Sequence, residues 1–447
     1  MARVVVIGAG MGGLAAAARL ATIGHDVVVC EQAHTAGGKV GTYVRDGFAF
    51  DTGPSLLTLP AVYRDLFVKT GRPLEESVDL VAVDPAFRYR FPEYDGRRPV
   101  WLDVPNAARA RTRDAMDDAL GAGAGEDWER FLDRAHAIWQ VTRGPFLESP
   151  LTGARDLARL ARRTSDMSTV APWRTLRSLG RQYLRDPRLR MLLDRYATYT
   201  GSDPRRAPAA LAVVPFVEQA FGAWHVRGGL GRLAEALHER ALLRGARVRT
   251  GADVVRVLVE SGRTSGVVLA SGETVPADVV VSDADATHLY ADLVRESSAD
   301  PARRRLRRAT PSLSGFVLML ALRGSTERVA HHTVLFPRDY DAELDAVFGR
   351  NARPVEDPTV TICSPKDPAM RPAGHEAWTV LVNAPRHGHG PGAVDWASPG
   401  LADTYADRVL AVLAERGVDV RDRLLWRETR TPADLERATR APGGAIY

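Results

Sequence analysis

The first forty residues constrain the fold of this chain more than any other stretch. A β-branched run at 3–7 ends in the glycine-rich segment 8–13, and residues of high helix propensity follow at 14–20. A second β-branched run at 27–29 leads to Glu31. The order strand, glycine loop, helix, strand and acid is typical of a βαβ unit that binds a dinucleotide. We therefore predict an α/β protein built on a parallel sheet.

The loop residues suit the chemistry of a dinucleotide. Gly8 permits a tight turn, Gly10 lets the backbone approach a pyrophosphate, and Gly13 allows the helix to pack on the strand. The helix start offers free N–H groups and a positive dipole end to phosphates. Glu31 stands where a carboxylate binds a ribose 2′-hydroxyl and disfavours a 2′-phosphate. We predict Gly8, Gly10, Gly12, Gly13 and Glu31 as cofactor contacts, with a βαβ unit that binds no nucleotide as the alternative.

A second glycine pair, Gly37-Gly38, follows Glu31 and is itself followed by Lys39. It resembles the second dinucleotide-contacting loop of FAD-dependent oxidoreductases of the amine oxidase superfamily. Paired glycines allow close backbone approach, and Lys39 places a positive charge near a phosphate. We therefore predict contacts from Gly38 and Lys39 and favour FAD over NAD. A surface turn with a solvated lysine is the alternative.

Composition excludes several classes of protein. The 447 residues suffice for two domains, and 60 basic against 55 acidic residues give a net charge of +5, which is not typical of a nucleic-acid binder. The two cysteines, Cys30 and Cys363, argue against a disulfide framework and favour a reducing cytosol. We expect no signal peptide, since the N-terminus passes directly into the first strand, and no apolar run reaches the roughly 18 residues of a membrane span.

The remaining chain alternates between β and helical patterns. Phe87, Tyr89 and Phe91 form one apolar face of a predicted hairpin, and a helical pattern extends from about 105 to 195. A further helix is predicted at 232–243. Three β segments around 254–259, 266–269 and 274–276 then lead back to the parallel sheet at 279–281. Further strands are predicted near 315–322 and 377–382. Because the chain leaves the parallel sheet and returns to it, we expect interleaved domains.

Longer motifs resemble the bacterial carotenoid desaturases of the phytoene desaturase type. They are 8–14, 37–39, 48–60, 195–204, 224–229, 331–336 and 441–447. The resemblance covers essentially the whole chain, and the stretch 195–204 is similar to the hydroxycarotenoid 3,4-desaturase branch. It implies a Rossmann-type FAD-binding domain interleaved with a mixed-sheet substrate domain and a helical cap.

The resemblance also implies a division of the chain. Residues 1–75 and 222–290 would form the FAD-binding domain, 76–221 the hairpin and helical cap, and 291–430 the mixed-sheet substrate domain. Residues 431–447 would lead to the last part of the FAD-binding domain. Relatives continue there with a strand, a glycine-rich turn and a helix whose start faces the flavin. We therefore expect this chain to be truncated and to bind FAD weakly.

The implied reaction is desaturation of a linear C30 or C40 polyene such as phytoene or a hydroxycarotenoid. The flavin takes a hydride from an allylic carbon, and oxygen or a quinone reoxidises it. Two alternatives remain: a non-catalytic or inactive member that binds an isoprenoid lipid, and an amine oxidase acting on a polar substrate. The complete set of glycines and Glu31 favours the flavoenzyme.

Other predicted site residues rest on weaker patterns. Asp156 and Arg159 belong to a charged cluster resembling one near the flavin in relatives, and are predicted as catalytic; a solvated helix face is the alternative. Arg227, beside a glycine pair, is predicted to contact phosphate or the flavin edge, or else to serve only in capping and packing. Val255 and Asp283, on segments that return towards the parallel sheet, complete the predicted cofactor contacts.

The histidine pairs do not predict a metal site. His387-Gly388-His389 lies between Arg386 and a Gly-Pro pair, which indicates a loop. His331-His332 is interpreted as a strand edge or turn, with a catalytic role as the alternative.

A polyene substrate implies a cytoplasmic protein attached peripherally to the membrane. Four arginines, at 174, 177, 181 and 185, fall on one helical stripe beside an apolar one. The alternative is that these arginines form a solvated face or make contacts to Asp186 and Asp194.

Overall fold

The computed structural model describes residues 1–94, 96–149 and 164–447. A four-stranded parallel sheet contains the predicted βαβ unit. Its strands, in spatial order, are Val279–Ser282, Arg3–Ile7, Asp26–Cys30 and Arg247–Arg249. The valines of the two central strands are largely buried, as expected where both faces of a parallel sheet are covered. Helices Met11–Thr22 and Gly231–Leu243 pack together on one face.

A small antiparallel sheet covers the opposite face. Its strands Val254–Glu260, Arg263–Leu269 and Thr274–Pro276 follow one another as a meander, confirming the prediction. Val257 and Val267 share a buried cluster with Val5 of the parallel sheet. The chain then re-enters the parallel sheet, so this sheet is assembled from two distant parts of the sequence.

A seven-stranded mixed sheet forms the second half of the molecule. Its strands, in spatial order, are Leu424–Arg430, Ser314–Arg323, His375–Ala384, Val360–Cys363, His332–Leu335, Phe87–Phe91 and Val100–Val104. The predicted hairpin forms the last two strands, and only the pairing of Phe87–Phe91 with His332–Leu335 is parallel. The strand His332–Leu335 has a partner on each side, so it is not an edge strand as one half of the expectation for His331-His332 had it. His331 lies in a bend directly before this strand, in agreement with the turn in that expectation.

Helices cover both faces of the mixed sheet. Helix Leu401–Glu415 packs on the strands of its central part. A helical layer, consistent with the helical pattern up to residue 195, packs on Phe87, Tyr89 and Phe336. Its helices are Arg109–Leu120, Ala124–Thr142, Thr164–Val170, Leu176–Tyr183, Pro187–Arg195 and Val213–Phe221.

Shorter elements connect these layers. The remaining α-helices of the described ranges are Pro60–Lys69, Ala286–His288, Asp300–Arg308, Tyr340–Phe348 and Pro432–Thr439. Two-stranded pairs are Thr42–Arg45 with Phe48–Asp51, Leu80–Ala82 with Trp224–Val226, and Arg386–His387 with Ala393–Val394. The buried rings of Phe48 and Phe50 contact the mixed sheet through Met319 and Ala377. The predicted domain boundaries stay a prediction.

The predicted arginine stripe is not one exposed face. Arg177 has only 14% of its side chain exposed and pairs with Asp194 at 2.8 Å. Arg185 pairs with the buried carboxylate of Asp127 at 2.9 Å. Carboxylates therefore pair with two of the four arginines. The Arg177–Asp194 pair agrees with the alternative interpretation, whereas Asp127 was not predicted and Asp186 pairs with Arg188. Within the described ranges, none of the helices has the length and apolar character needed to cross a bilayer.

Candidate functional site

The glycine loop closes tightly between the first strand and the first helix. Gly8 has φ +94° and donates its N–H to the Cys30 carbonyl at 2.8 Å. A Cβ on Gly13 would lie 2.2 Å from the Gly8 carbonyl oxygen, closer than real Cβ contacts allow. Glycine is therefore required at position 13 for the helix to approach the strand, as the motif predicts.

The second glycine pair contacts the first loop. Gly37 donates its N–H to the Ala9 carbonyl at 2.8 Å, and a Cβ on Gly38 would lie 3.1 Å from the Cα of Gly10. The two loops therefore form one backbone surface, which we call the glycine cradle: residues 8–13 and 37–39 together with Glu31.

Glu31 is held by the loop that it faces. Its Oε2 accepts the Ala9 N–H at 2.7 Å, and its Oε1 accepts the Ala33 N–H at 2.8 Å. The carboxylate is buried but lines the cavity of the cradle. Since each carboxylate oxygen has a further lone pair, Glu31 retains acceptor capacity for ribose hydroxyls.

Asp283 lies directly above the start of the first helix, where the strand Val279–Ser282 ends. A Cβ on Gly10 or Gly12 would come within 2.4 or 2.5 Å of its carboxylate oxygens. Burial raises the pKa of Asp283, the amides of Gly13 and Gly10 oppose that rise, and the charge of Glu31 adds to it. The Asp283 carboxylate therefore accepts hydrogen bonds from backbone amides that are suited to bind a phosphate.

The cradle opens into a cavity of about 450 Å³. Seven predicted contacts line it: Gly8, Gly10, Gly12, Glu31, Gly38, Lys39 and Asp283. Gly13 packs beneath the loop. Val254, the neighbour of the predicted Val255, lines the wall. The structure therefore brings most of the predicted cofactor contacts together.

Other predicted site residues are placed differently or are not described. Arg227 has 55% of its side chain exposed and donates from Nε to Asp79 at 2.7 Å, and it is not among the cavity-lining residues. Asp156 and Arg159 lie outside the described residues.

Lys39 supplies a cation to the cavity wall. Its Nζ donates to the Ile446 carbonyl at 2.6 Å and to the Ala445 carbonyl at 3.2 Å. Burial lowers its pKa, and the charges of Asp285 and Asp283 oppose that change. Lys39 is therefore positioned to balance the acids of the cavity.

Sequence reasoning missed several wall residues. They are Asp253, Asp285, His288, Arg440 and Tyr447. Arg440 pairs with Asp253 at 2.5 Å, and Asp285 accepts the Thr287 N–H that begins a short helix. Only the position of Asp285 before a helix was readable as a local signal, since the other residues reach the cavity through long-range packing.

Asp51 is a further buried acid that the sequence did not single out. It ends the strand Phe48–Asp51 and accepts the Leu230 N–H at 2.7 Å, at the start of helix Gly231–Leu243. Burial raises its pKa to about 6. Asp51 thereby connects the 42–51 hairpin to the helix that packs on the parallel sheet.

These features fit the dinucleotide and define a class of protein. Two glycine loops, a helix N-terminus, a carboxylate and a lysine meet at one cavity, an arrangement typical of a site for the adenosine and pyrophosphate half of a dinucleotide. Together with the parallel sheet, they define a dinucleotide-binding oxidoreductase.

The comparison with protein families identifies the group to which the chain belongs. Residues 11–387 match the model of the flavin containing amine oxidoreductases, and the chain belongs to this family. FAD is therefore confirmed as the cofactor, and the protein is a flavin-dependent oxidoreductase.

Full-length relatives include carotenoid enzymes. The chain is 32% identical to a 4,4′-diapolycopene oxygenase of Methylomonas sp, over 100% of this chain and 87% of that protein. It is also 32% identical to the hydroxyneurosporene desaturase of Rubrivivax gelatinosus, over 100% of this chain and 83% of that protein. A zeta-carotene-forming phytoene desaturase of Myxococcus xanthus is 32% identical over 89% of this chain and 74% of that protein. The expected truncation stays a prediction.

Solved structures confirm the fold class. An oxidoreductase from Methanosarcina mazei has a TM-score of 0.64 at 18% identity, over 96% of this chain and 87% of that one. A putrescine oxidase bound to putrescine has a TM-score of 0.60 at 14% identity, over 96% of this chain and 84% of that one.

Proposed function

We propose that this protein is an FAD-dependent desaturase that removes hydride from a linear carotenoid precursor such as phytoene or a hydroxycarotenoid. The observation that carries the proposal is an intact glycine cradle in a chain 32% identical, over its whole length, to a hydroxyneurosporene desaturase. Bound FAD supplies the two-electron acceptor that protein side chains lack.

In this proposal, the protein's own side chains and backbone amides bind and orient the FAD and the polyene. Helix-start amides and Lys39 would hold the pyrophosphate of FAD, and Glu31 would hold its ribose. The phosphate would compete with the Asp283 carboxylate for the amides of Gly10 and Gly13. The polyene is assigned to the aromatic interior between the helical layer and the mixed sheet, where Phe87, Tyr89 and Phe336 stack with ring centroids 5.7 and 6.0 Å apart. The three rings are at most 2% exposed, which keeps water out of this interior, and the buried Arg195 guanidinium lies over the rings of Phe87 and Tyr89 at 5.2 and 5.8 Å.

A more open cavity of about 660 Å³ beside the hairpin is a poorer site for the polyene. Arg88, Asp103 and Arg328 lie in its wall, and Arg88 pairs with Asp103 at 2.7 Å. An apolar chain there would cover charged groups without offering them hydrogen bonds.

The second candidate reaction is oxygenation of the polyene. It is favoured by the similarity to a 4,4′-diapolycopene oxygenase. The two reactions differ in the product, because desaturation removes two hydrogen atoms per step and oxygenation adds oxygen.

The test is turnover by the FAD-loaded protein of phytoene and of a hydroxycarotenoid in liposomes, with product masses recorded. Parallel reactions use oxygen or an added quinone as the electron acceptor. We expect products lighter by two hydrogens per step. Gly13→Ala should abolish turnover, whereas Gly390→Ala, in open space, should not. Oxygenated products alone would favour the second candidate, and polyene bound without turnover would favour a non-catalytic lipid-binding protein.

Attachment to a membrane surface is part of the proposal. Trp173 is 68% exposed, and Arg174 and Arg181 near it are exposed. Tryptophan favours the lipid interface, and each basic residue near an anionic surface contributes about 1 kcal/mol. We expect Trp173→Ala to weaken co-sedimentation with anionic vesicles. Leu243→Ala, at a residue 78% exposed on another helix, is the control. Binding that ignores Trp173, anionic lipid and salt would exclude this surface.

A further inference from the structure

Two imidazoles and one thiol lie close together at the mixed sheet, outside the glycine cradle. His332 begins the strand His332–Leu335 and lies directly across from Cys363 in the antiparallel pairing. His331 precedes it, and the two imidazole centroids are 4.6 Å apart. One ligand atom each from His331, His332 and Cys363 lies within 4.8 Å of the others. We call these three residues the histidine–thiol cluster.

Ring nitrogens in this region have no hydrogen-bond partner in the described structure. They are Nε2 of His331, Nδ1 of His332 and Nδ1 of the adjacent His225. More than nine in ten buried polar groups are normally paired, so three unpaired imidazole nitrogens close together require an explanation. His332 and Cys363 are both buried, whereas His331 is only half-buried and provides an approach from outside.

Burial favours the neutral form of all three groups, which suits coordination by the two imidazoles and opposes formation of the thiolate. Burial lowers the pKa of His331 to about 3 and that of His332 well below its usual value, so both rings are neutral and offer a lone pair. Burial raises the pKa of the Cys363 thiol to about 12. A bound cation would stabilise the thiolate and release its proton.

Neighbouring groups orient the rings. Nε2 of His332 lies 3.3 Å from Oγ of Ser55, which leaves Nδ1 of His332 free to coordinate. Nε2 of His225 lies 2.9 Å from Oδ2 of Asp367, and its ring centroid is 4.8 Å from that of His331. A carboxylate on the far nitrogen of a histidine is the usual outer partner of a metal ligand.

We propose that His331, His332 and Cys363 bind one Zn²⁺ ion, with His225 and Asp367 beside it. Two imidazoles and one thiolate match the preference of this ion and leave a fourth position open. Tetrahedral bonds of about 2.0–2.3 Å place ligand atoms roughly 3.5 Å apart. Side-chain rotations that move the three ligand atoms by about an ångström would therefore bring them to bonding distance of one ion. None of the three ligands lines the cavity of the glycine cradle. The His332 ring lies 5.2 Å from the ring of Phe87, so the cluster borders the interior assigned to the polyene.

The test uses the FAD-loaded full chain, stripped of metal with a chelator and titrated with Co²⁺ as a spectroscopic substitute for Zn²⁺. We expect one Co²⁺ per chain with a sulfur-to-cobalt charge-transfer band, which Zn²⁺ removes by competition. Only two cysteines exist, so Cys363→Ser should lose the band and Cys30→Ser should keep it.

A second variant guards against misfolding of Cys363→Ser. Ser55→Ala removes a hydroxyl that faces both His332 and the Cys363 thiol but leaves all three ligands in place, and it should weaken Co²⁺ binding about tenfold while the band remains. Thermal melting of each variant reports folding separately. Absence of a thiolate band in the wild-type protein, or its loss in Cys30→Ser instead of Cys363→Ser, would overturn the proposal.

Discussion

The glycine cradle and the histidine–thiol cluster are built in opposite ways. The cradle consists mainly of backbone groups from one continuous stretch, with Glu31 bound to the amides of Ala9 and Ala33. The cluster consists of side chains from distant strands, and it exists only because His332 pairs with Cys363. A slip of one residue in that register would turn Cys363 to the other face of the sheet. The two glycine loops and Glu31, by contrast, contact one another within residues 8–39.

The largest expected effect on FAD affinity comes from adding a side chain to the glycine cradle. Gly13→Ala places a Cβ 2.2 Å from the Gly8 carbonyl, so strand and helix must separate. We expect FAD affinity to fall at least 100-fold, about 2.7 kcal/mol, in equilibrium flavin titration. Gly390→Ala has no atom within 4 Å of the new Cβ and should be neutral. Equal losses in both variants would show that the cradle is not the sensitive element.

Removing the one side chain on which the cradle depends should have the next largest effect. Glu31→Ala removes an acceptor of two backbone amides and the predicted ribose contact, at about 1.5–3 kcal/mol for charge-assisted hydrogen bonds. We expect FAD to bind roughly 10- to 100-fold more weakly. Glu31→Gln, which keeps one acceptor oxygen, should lose less. Unchanged FAD affinity in Glu31→Ala would contradict both roles of Glu31.

In the interior beneath the helical layer, buried side chains should make the free energy of unfolding depend on pH. Glu218 is fully buried beside Tyr196 and Arg195, and burial raises its pKa from 4.5 to about 7. The folded state therefore holds a proton that the unfolded chain loses first. The contribution of Glu218 to stability is fully present below pH 4.5 and is lost as the pH rises to 7, by about 3 kcal/mol at 1.36 kcal/mol per pH unit.

Glu218→Gln removes this contribution. Denaturant unfolding between pH 5 and 8 should show a smaller loss of unfolding free energy in the variant. The wild-type chain also contains Asp51 and Asp194, whose pKa values are raised to about 6, so some slope should remain. An identical pH dependence in both proteins would exclude Glu218 as its source.

The smallest expected effect separates charge from shape in the cradle. Asp283→Asn keeps the size of the side chain over Gly10 and Gly12 but removes a negative charge beside the pyrophosphate site. We expect about fivefold tighter FAD binding, roughly 1 kcal/mol. Wild-type affinity should rise as pH falls through the raised pKa of Asp283, and the variant should lack that component. Asp278→Asn, at the exposed start of the same strand, is the control, and weaker binding by Asp283→Asn would contradict this electrostatic account.

Most of the cradle was predictable from the sequence. The strand, loop, helix and acid are adjacent, and Gly8 and Gly13 are required by local geometry. The hairpin at Phe87–Phe91 and the meander after residue 250 were readable for the same reason, because alternation and turn residues act over a few positions. Asp253 and Arg440 were not readable, since they reach the cavity wall from segments far apart in the chain.

By itself, the sequence determined the dinucleotide-binding unit and, through its motifs, membership of the flavin-dependent family. Tertiary structure decided which charged groups are paired: Arg227 with Asp79, and Arg177 with Asp194. It also placed His332 inside a sheet and not at its edge. The physical reason is that glycine geometry and hydrophobic periodicity are local properties, whereas ion pairing and strand neighbours depend on contacts between residues that the chain brings together only on folding.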